Sequence, residues 1–324
     1  MQSGDGPSGQ TGRKRGADGS VTSEIAAERD AGGLAARLAG VGPLVLDGAT
    51  GTELERRGAP TSLPLWSAHA LVHSPNLLAA IHADYAAAGA DILTANTFRT
   101  QRRNLAHGGW SERSAELTSL AVALAREAAH RIASERVIYV VGSAPPLEDC
   151  YSPDLVPDRA ALECEHAEHA ELLAQAGVDA ILVETMNSVR EAVAALRAAR
   201  ATGLPALVSF ACWDGPRLLS GEPLRDALAA AAPEEPAAVL VNCLPPSNVA
   251  ACLPVLRESA LPFGVYPNLG APVDKEGLLR SEECEPSAFA RHVEEWRAAG
   301  TTVLGGCCGT TPAHIDAIAQ ILRD

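Results

Sequence analysis

Two short segments concentrate the side chains best suited to chemistry: Val241-Asn242-Cys243 and Gly305-Gly306-Cys307-Cys308-Gly309. Three thiolates form a strong zinc ligand set. With only three protein ligands one tetrahedral position stays open, which is what separates a catalytic from a structural zinc site. The glycines around Cys307 and Cys308 suit adjacent ligands, which need a backbone free to take unusual dihedrals. Taken singly, a strand-end cysteine such as Cys243 or Cys212 reads first as a small buried hydrophobe, and a Cys-Cys pair as coincidence or a strained vicinal disulfide. The metal reading therefore depends on whether the fold brings the three together.

The elements that would do so alternate along the chain. Apolar runs of strand length occur at residues 43–47 (PLVLD), 91–96, 136–143, 179–185, 205–212, 237–243, 262–268 and 301–307. Between them lie Ala- and Leu-rich segments of helical period, such as NLLAAIHADYAAAG and NSVREAVAALRAAR, several closed by a Gly suited to a left-handed C-cap. Eight such alternations predict a single (β/α)8 barrel, whereas a doubly wound open sheet usually has five or six strands. Chemistry in such barrels gathers where the strands end and the βα loops converge. Strand ends here carry Asp47, Asn96, Ser143, Glu184, Cys212, Cys243, Asn268, Cys307 and Cys308. The loops holding Cys243 and the Cys307-Cys308 pair are separated on that rim by one strand only.

The other cysteines, Cys150, Cys164, Cys252 and Cys284, fall in loops or helices without a matching partner and read as structural. Cys164, His166 and His169 have helical spacing, but their helix also carries Glu163, Glu165, Glu168 and Glu171, and they read as partly solvated outer wall.

Bulk composition narrows the ligand class. A formal charge of -14 argues against nucleic acid, since phosphate binding needs a basic stripe and the one basic cluster, residues 13–15, sits in a polar Gly- and Ser-rich stretch. That stretch, residues 1–33, reads as a disordered extension ahead of a barrel domain over 34–324. No run approaches the roughly 20 apolar residues that span a bilayer, and the first thirty residues lack the apolar core of a secretory signal. A cytosolic protein acting on small molecules, away from membranes, is expected. Eight cysteines in that reducing compartment are not a disulfide framework.

The motifs LDGATGTELERRG, GADILTANTFRT, AGVDAILVETM, VSFACWDGPRLLSGEPL, VNC, YPNLG and GGCCGTTPAHI, in that order over about residues 41 to 322, resemble the homocysteine S-methyltransferase family. The resemblance implies that Cys243, Cys307 and Cys308 bind Zn2+ and that the fourth ligand is the sulfur of homocysteine. It further implies that Asp47 and Gly48 lie against homocysteine and that Glu184 receives its amino group. Asn96 and Ser143 match positions near the pocket, where a structural hydrogen-bonding role is equally open. The stretch GSAPPLEDCYSPD departs from the shorter turn of many relatives, which bears on the donor site.

Within that resemblance the donor is a sulfonium such as S-methylmethionine or S-adenosylmethionine, betaine, or methyl-cobalamin. The chain length favours the sulfonium, since cobalamin- and betaine-dependent relatives are longer. Trp66, Trp110, Tyr151 and Trp213 are candidates for a cage around a cationic methyl group. Selenohomocysteine or selenocysteine is an alternative acceptor. A non-catalytic zinc-binding barrel is the reading from another class, and a thiol-redox role finds no C-x-x-C motif.

Overall fold

The computed structural model describes Met1 and residues 33–40, 42–132, 136–272, 279–281 and 285–323. Cys284 and most of the polar N-terminal stretch lie outside them. Eight parallel strands form one sheet: β1 (Leu44–Val45), β2 (Ile92–Ala95), β3 (Tyr139–Ala144), β4 (Ala180–Met186), β5 (Ala206–Ala211), β6 (Ala238–Asn242), β7 (Phe263–Tyr266) and β10 (Val303–Leu304). A hairpin that the sequence pattern did not predict, β8 (Gly270–Pro272) with β9 (Leu279–Ser281), intervenes between β7 and β10.

The strand order is β1-β10-β7-β6-β5-β4-β3-β2. The sheet closes on itself where Leu46 bridges Ile92 in parallel, with Asp47 N–H donating to Ile92 O at 3.0 Å and Asp91 N–H to Val45 O at 2.7 Å. This is a (β/α)8 barrel. Helices cross between successive strands, among them Pro75–Ala88, Ser114–Ile132, Arg159–Gln175, Val189–Ala201 and Pro312–Arg323. The Pro75–Ala88 helix begins on a proline and ends at Gly89, whose φ of +111° supplies the left-handed cap.

Alternation sorts the strand side chains into two cores, because successive residues of a strand face opposite sides. Leu44, Leu46, Ile92, Tyr139, Val141, Leu182, Leu207, Leu240 and Val303 pack inside the barrel. Val45, Leu93, Val140, Ile181, Val183, Val208, Val239, Val241 and Val265 face the helical layer. The short helix Gly33–Ala39 adds Leu34 and Leu38 to the inner core, at the end where the strands begin. That end is closed by apolar packing and leaves the other for ligands.

Candidate active site

Inside the barrel the inward positions turn from apolar to polar towards the strand ends. Thr94, Ser143, Glu184, Ser209, Asn242 and Tyr266 all have inward parity on β2 to β7. Above them opens a cavity of about 760 Å3 whose wall includes Asp47, Gly48, Asn96, Ser143, Glu184, Cys243, Cys307 and Cys308. The strand ends named from the sequence thus converge, with two exceptions: Cys212 and Asn268 are not on its wall.

Strict alternation would point Cys243 outwards, since Leu240 and Asn242 face in. Its φ of +55° places it in the left-handed region, rare for a residue with a side chain, and turns the thiol back to the cavity. Thr185, at φ +58°, makes the same departure after Glu184, where the β4–β5 register breaks between Val183 and Met186. Asn242 holds the two turns together. Its Nδ2 donates to Thr185 Oγ1 at 2.8 Å and to Cys243 Sγ at 3.1 Å, while its Oδ1 accepts from Ser209 Oγ at 2.6 Å and Thr185 N–H at 3.2 Å.

The second thiol segment is held from three sides. Gly306 N–H donates to Asp47 O at 3.1 Å, Cys307 N–H to Pro267 O at 2.8 Å, and Cys308 N–H to Asn268 Oδ1 at 3.0 Å. Thr310 Oγ1 donates to Cys307 O at 2.7 Å. Only Gly309, at φ +86°, needs glycine for its dihedral. Gly305 and Gly306 serve close approach instead, correcting the expectation from sequence: a Cβ would stand 2.7 Å from Leu46 Cβ at the first and 2.4 Å from Thr310 Oγ1 at the second.

Cys243 and Cys307 sulfurs lie 3.2 Å apart. That hydrogen bond, then burial, pushes the Cys243 thiol far up. The bond to Cys243 works the other way on Cys307, but the Cys308 thiol, burial and the charge of Glu184 outweigh it and raise that thiol too. Among the described residues no three His, Cys, Asp or Glu side chains are spaced around a metal position. The Cys243 and Cys307 sulfurs, hydrogen-bonded to each other, stand closer than the about 3.8 Å that separates thiolates on a tetrahedral zinc with bonds of about 2.3 Å. The donor chemistry fits a soft cation nonetheless. Asn242 already donates to the Cys243 sulfur, and Asn268, which holds Cys308, keeps a buried Nδ2 with no acceptor.

Two carboxylates complete the inner wall. Asp47 accepts from Thr94 N–H at 2.8 Å and Thr94 Oγ1 at 2.9 Å, yet burial, helped by the charge of Glu184, raises its pKa to about 8. Glu184 accepts from Ser143 Oγ and, at 3.4 Å, from Tyr266 OH, and burial raises it to about 7. Neither forms an ion pair among the described residues. Buried carboxylates that face a cavity and have no cation among the described residues have the chemistry to receive one from a ligand. Gly48 lies close beneath: a Cβ there would stand 2.7 Å from the Tyr85 ring. Asn96 donates through Nδ2 to Ser67 O at 2.9 Å and so fastens the loop that carries Trp66.

Other expectations need correction. His166 and His169 are each only 2% exposed. His166 Nε2 meets Glu191 Oε1 at 3.3 Å, and His169 Nε2 meets Ser143 O at 3.0 Å, so they are interior braces; Cys164 alone is exposed. Cys252 does have a neighbouring thiol in Cys212, which that contact and then burial raise, while the same contact lowers Cys252. Cys150 lines the cavity, as do Trp66 and Tyr151, whereas Trp110 and Trp213 do not. Thr94, Ser209 and Tyr266 are site residues that the sequence reading missed, as it did the bridging part of Asn242, although counting inward positions along each strand finds them.

Comparisons with known proteins bear on the fold and the family. Residues 44–322 match the family described as homocysteine S-methyltransferase. Homocysteine S-methyltransferase of Escherichia coli is 35% identical over 294 residues, 85% of this chain and 94% of its own. Selenocysteine Se-methyltransferase of Brassica oleracea var. italica is 33% identical over 311 residues, 87% and 89% of the two chains. The metallated form of the E. coli homocysteine methyltransferase MmuM superposes with a TM-score of 0.76 at 32% identity, covering 88% of this chain and 98% of that one. With a matching barrel, thiols and carboxylates on one wall, and likeness over most of its length, the chain belongs to the homocysteine S-methyltransferase family of methyltransferase enzymes.

Proposed function

We propose that the protein transfers a methyl group from a sulfonium donor, S-methylmethionine or S-adenosylmethionine, to the thiol of homocysteine, giving methionine, at a zinc site formed by Cys243, Cys307 and Cys308. The observation that carries this is the inward-turned Cys243, 3.2 Å from Cys307, on one cavity wall with two unpaired buried carboxylates. The names of the relatives support the acceptor, and the metallated form of the E. coli protein supports a metal.

Bound there, zinc would supply a thiolate at neutral pH, where a free thiol with a pKa near 8.5 is mostly protonated. The chain's own residues do the rest. Glu184 and Asp47 pair with the homocysteine ammonium, Ser143 and Tyr266 aim Glu184, and Thr94 aims Asp47. Gly48, whose missing side chain makes room for Tyr85 and Thr310, presents only backbone to the cavity, and Asn96 holds the loop of Trp66 at its wall. The methyl carbon forms its new bond to the homocysteine sulfur as its bond to the donor breaks. That electron pair leaves on a neutral thioether, so no side chain need protonate the leaving group. Such thiols work only when reduced, which fits the cytosol, and among the described residues no helix is long and apolar enough to cross a membrane.

The test measures metal content and methionine formation together. Purified protein is expected to hold about one zinc per chain and to methylate homocysteine with a sulfonium donor. Cys243→Ala, Cys307→Ala and Cys308→Ala should each deplete the metal and abolish transfer, because two ligands hold zinc poorly. Zinc without methionine formation would leave a metal-holding barrel, and activity in metal-free protein would end the zinc assignment. The Brassica relative favours adding selenocysteine to the acceptors assayed.

A further inference from the structure

The cavity holds a cation that the chemistry above does not use. Arg99 lies four residues beyond the end of β2 and lines the wall that also carries Trp66 and Tyr151. Its Nη1 donates to Asn104 Oδ1 at 2.6 Å, and its buried Nε has no partner. The mount is built rather than incidental. Asn104, itself buried, donates to Gln101 Oε1 at 2.6 Å and Leu147 O at 3.3 Å, and Gln101 donates to Pro145 O at 2.9 Å. The guanidinium carbon stands 5.7 Å from the centre of the Phe98 ring.

No carboxylate among the described residues neutralises its charge. Glu148, on the same wall, pairs with Arg103 at 2.8 Å, and Asp149 accepts from Ser152 Oγ at 2.8 Å and Tyr151 N–H at 3.2 Å. Among the described residues Arg99 has no carboxylate partner. A guanidinium held by a neutral amide, with part of its fork free inside a cavity, is suited to a ligand carboxylate.

Taking the proposed function as the frame, we propose that Arg99 anchors the carboxylate of the methyl donor, and that the donor is accordingly an amino-acid sulfonium. Two arguments favour the donor over homocysteine. A cavity of about 760 Å3 sits high in the roughly 300–1,000 Å3 range of small-molecule pockets and has room for a second substrate. Homocysteine, spanning the thiols and the Asp47–Glu184 pair, occupies the inner wall, whereas Arg99 stands on the loop side near Cys150. Burial and then the charge of Cys243 raise the Cys150 thiol while the Arg99 charge opposes them, so Cys150 is within reach of both, whereas Glu184 answers to burial, Ser143 and Tyr266 and not to Arg99.

The test compares S-methylmethionine with its decarboxylated counterpart, (3-aminopropyl)dimethylsulfonium, in wild-type, Arg99→Gln and Arg99→Lys holoenzyme. Arg99→Gln should lower kcat/KM for S-methylmethionine at least about tenfold, shift that for the decarboxylated donor by less than about twofold, and leave the KM for homocysteine in place; Arg99→Lys should fall between. Equal losses with both donors, or a rise in the homocysteine KM instead, would overturn the assignment. Titration calorimetry of S-methylmethionine into wild-type and Arg99→Gln protein reads the same contact without turnover. A weaker affinity in the variant supports Arg99 even if homocysteine proves not to be the acceptor. Equal affinities refute it while leaving the proposed function standing.

Discussion

At the scale of single residues, the two carboxylates behave unlike ordinary surface acids, and this makes their role measurable. Burial holds Glu184 up to about 7 from 4.5 and Asp47 up to about 8 from 3.8. A folded-state pKa raised this way contributes stability that is present below the unfolded value and is lost as pH rises through the folded one. Substrate-free wild-type protein should therefore lose more thermal stability between pH 5 and 8 than Glu184→Gln, and homocysteine should narrow the gap by supplying a cation. Parallel melting curves for the two would remove the carboxylate from this role. In turnover, Glu184→Gln should raise the homocysteine KM by about 10- to 100-fold, the loss of a charge-assisted bond of about 1.5–3 kcal/mol, with metal content unchanged. Loss of zinc in that variant would mean that Glu184 supports the thiols instead.

At the scale of elements, period two explains most of what was legible beforehand. Valine and leucine alternating along β4 and β6 separate inner from outer core and carry Glu184 and Asn242 inwards. The same rule misplaces Cys243 and Thr185, because their left-handed backbone is imposed by the Asn242 bonds that reach from β6 past β5 to β4, a tertiary feature with no local sequence signature. Arg99 escaped notice for a related reason: it sits on a loop, where no period relates side chain to direction. The Asn242 cluster should then govern metal affinity without touching metal. Asn242→Ala should weaken zinc binding about 10- to 100-fold, the usual cost of losing a partner that orients a ligand. Circular dichroism should keep its barrel signature. Competition with a zinc-binding chromophore measures the affinity, and an unchanged value would show that Cys243 keeps its turn without this support.

At the scale of the whole molecule, the barrel divides its labour between two ends, and the helix Gly33–Ala39 meets the end without the chemistry. The polar, Gly- and Ser-rich stretch read as an extension over residues 1–33 stops one residue earlier, since Gly33 opens a helix, and we expect removal of residues 1–32 to leave turnover within about twofold. The helix that follows them is a different matter. Leu34 and Leu38 are 1% and 2% exposed and belong to one buried cluster with Leu44, Tyr139, Ala238 and Val303, the inner side chains nearest the strand starts. They plug the floor. Leu38→Ala removes buried methyl groups from a site that strands on several sides prevent from collapsing, so it should cost about 2–5 kcal/mol and lower the melting temperature by several degrees. Glu184, Cys243 and Cys307 stand at the opposite ends of the same strands. At a temperature where the variant is fully folded, its KM for homocysteine and its zinc content should therefore match wild type. A Leu38→Ala protein of normal stability would show that the helix merely rests against the barrel, and one of normal stability but altered KM would contradict the separation of floor from mouth.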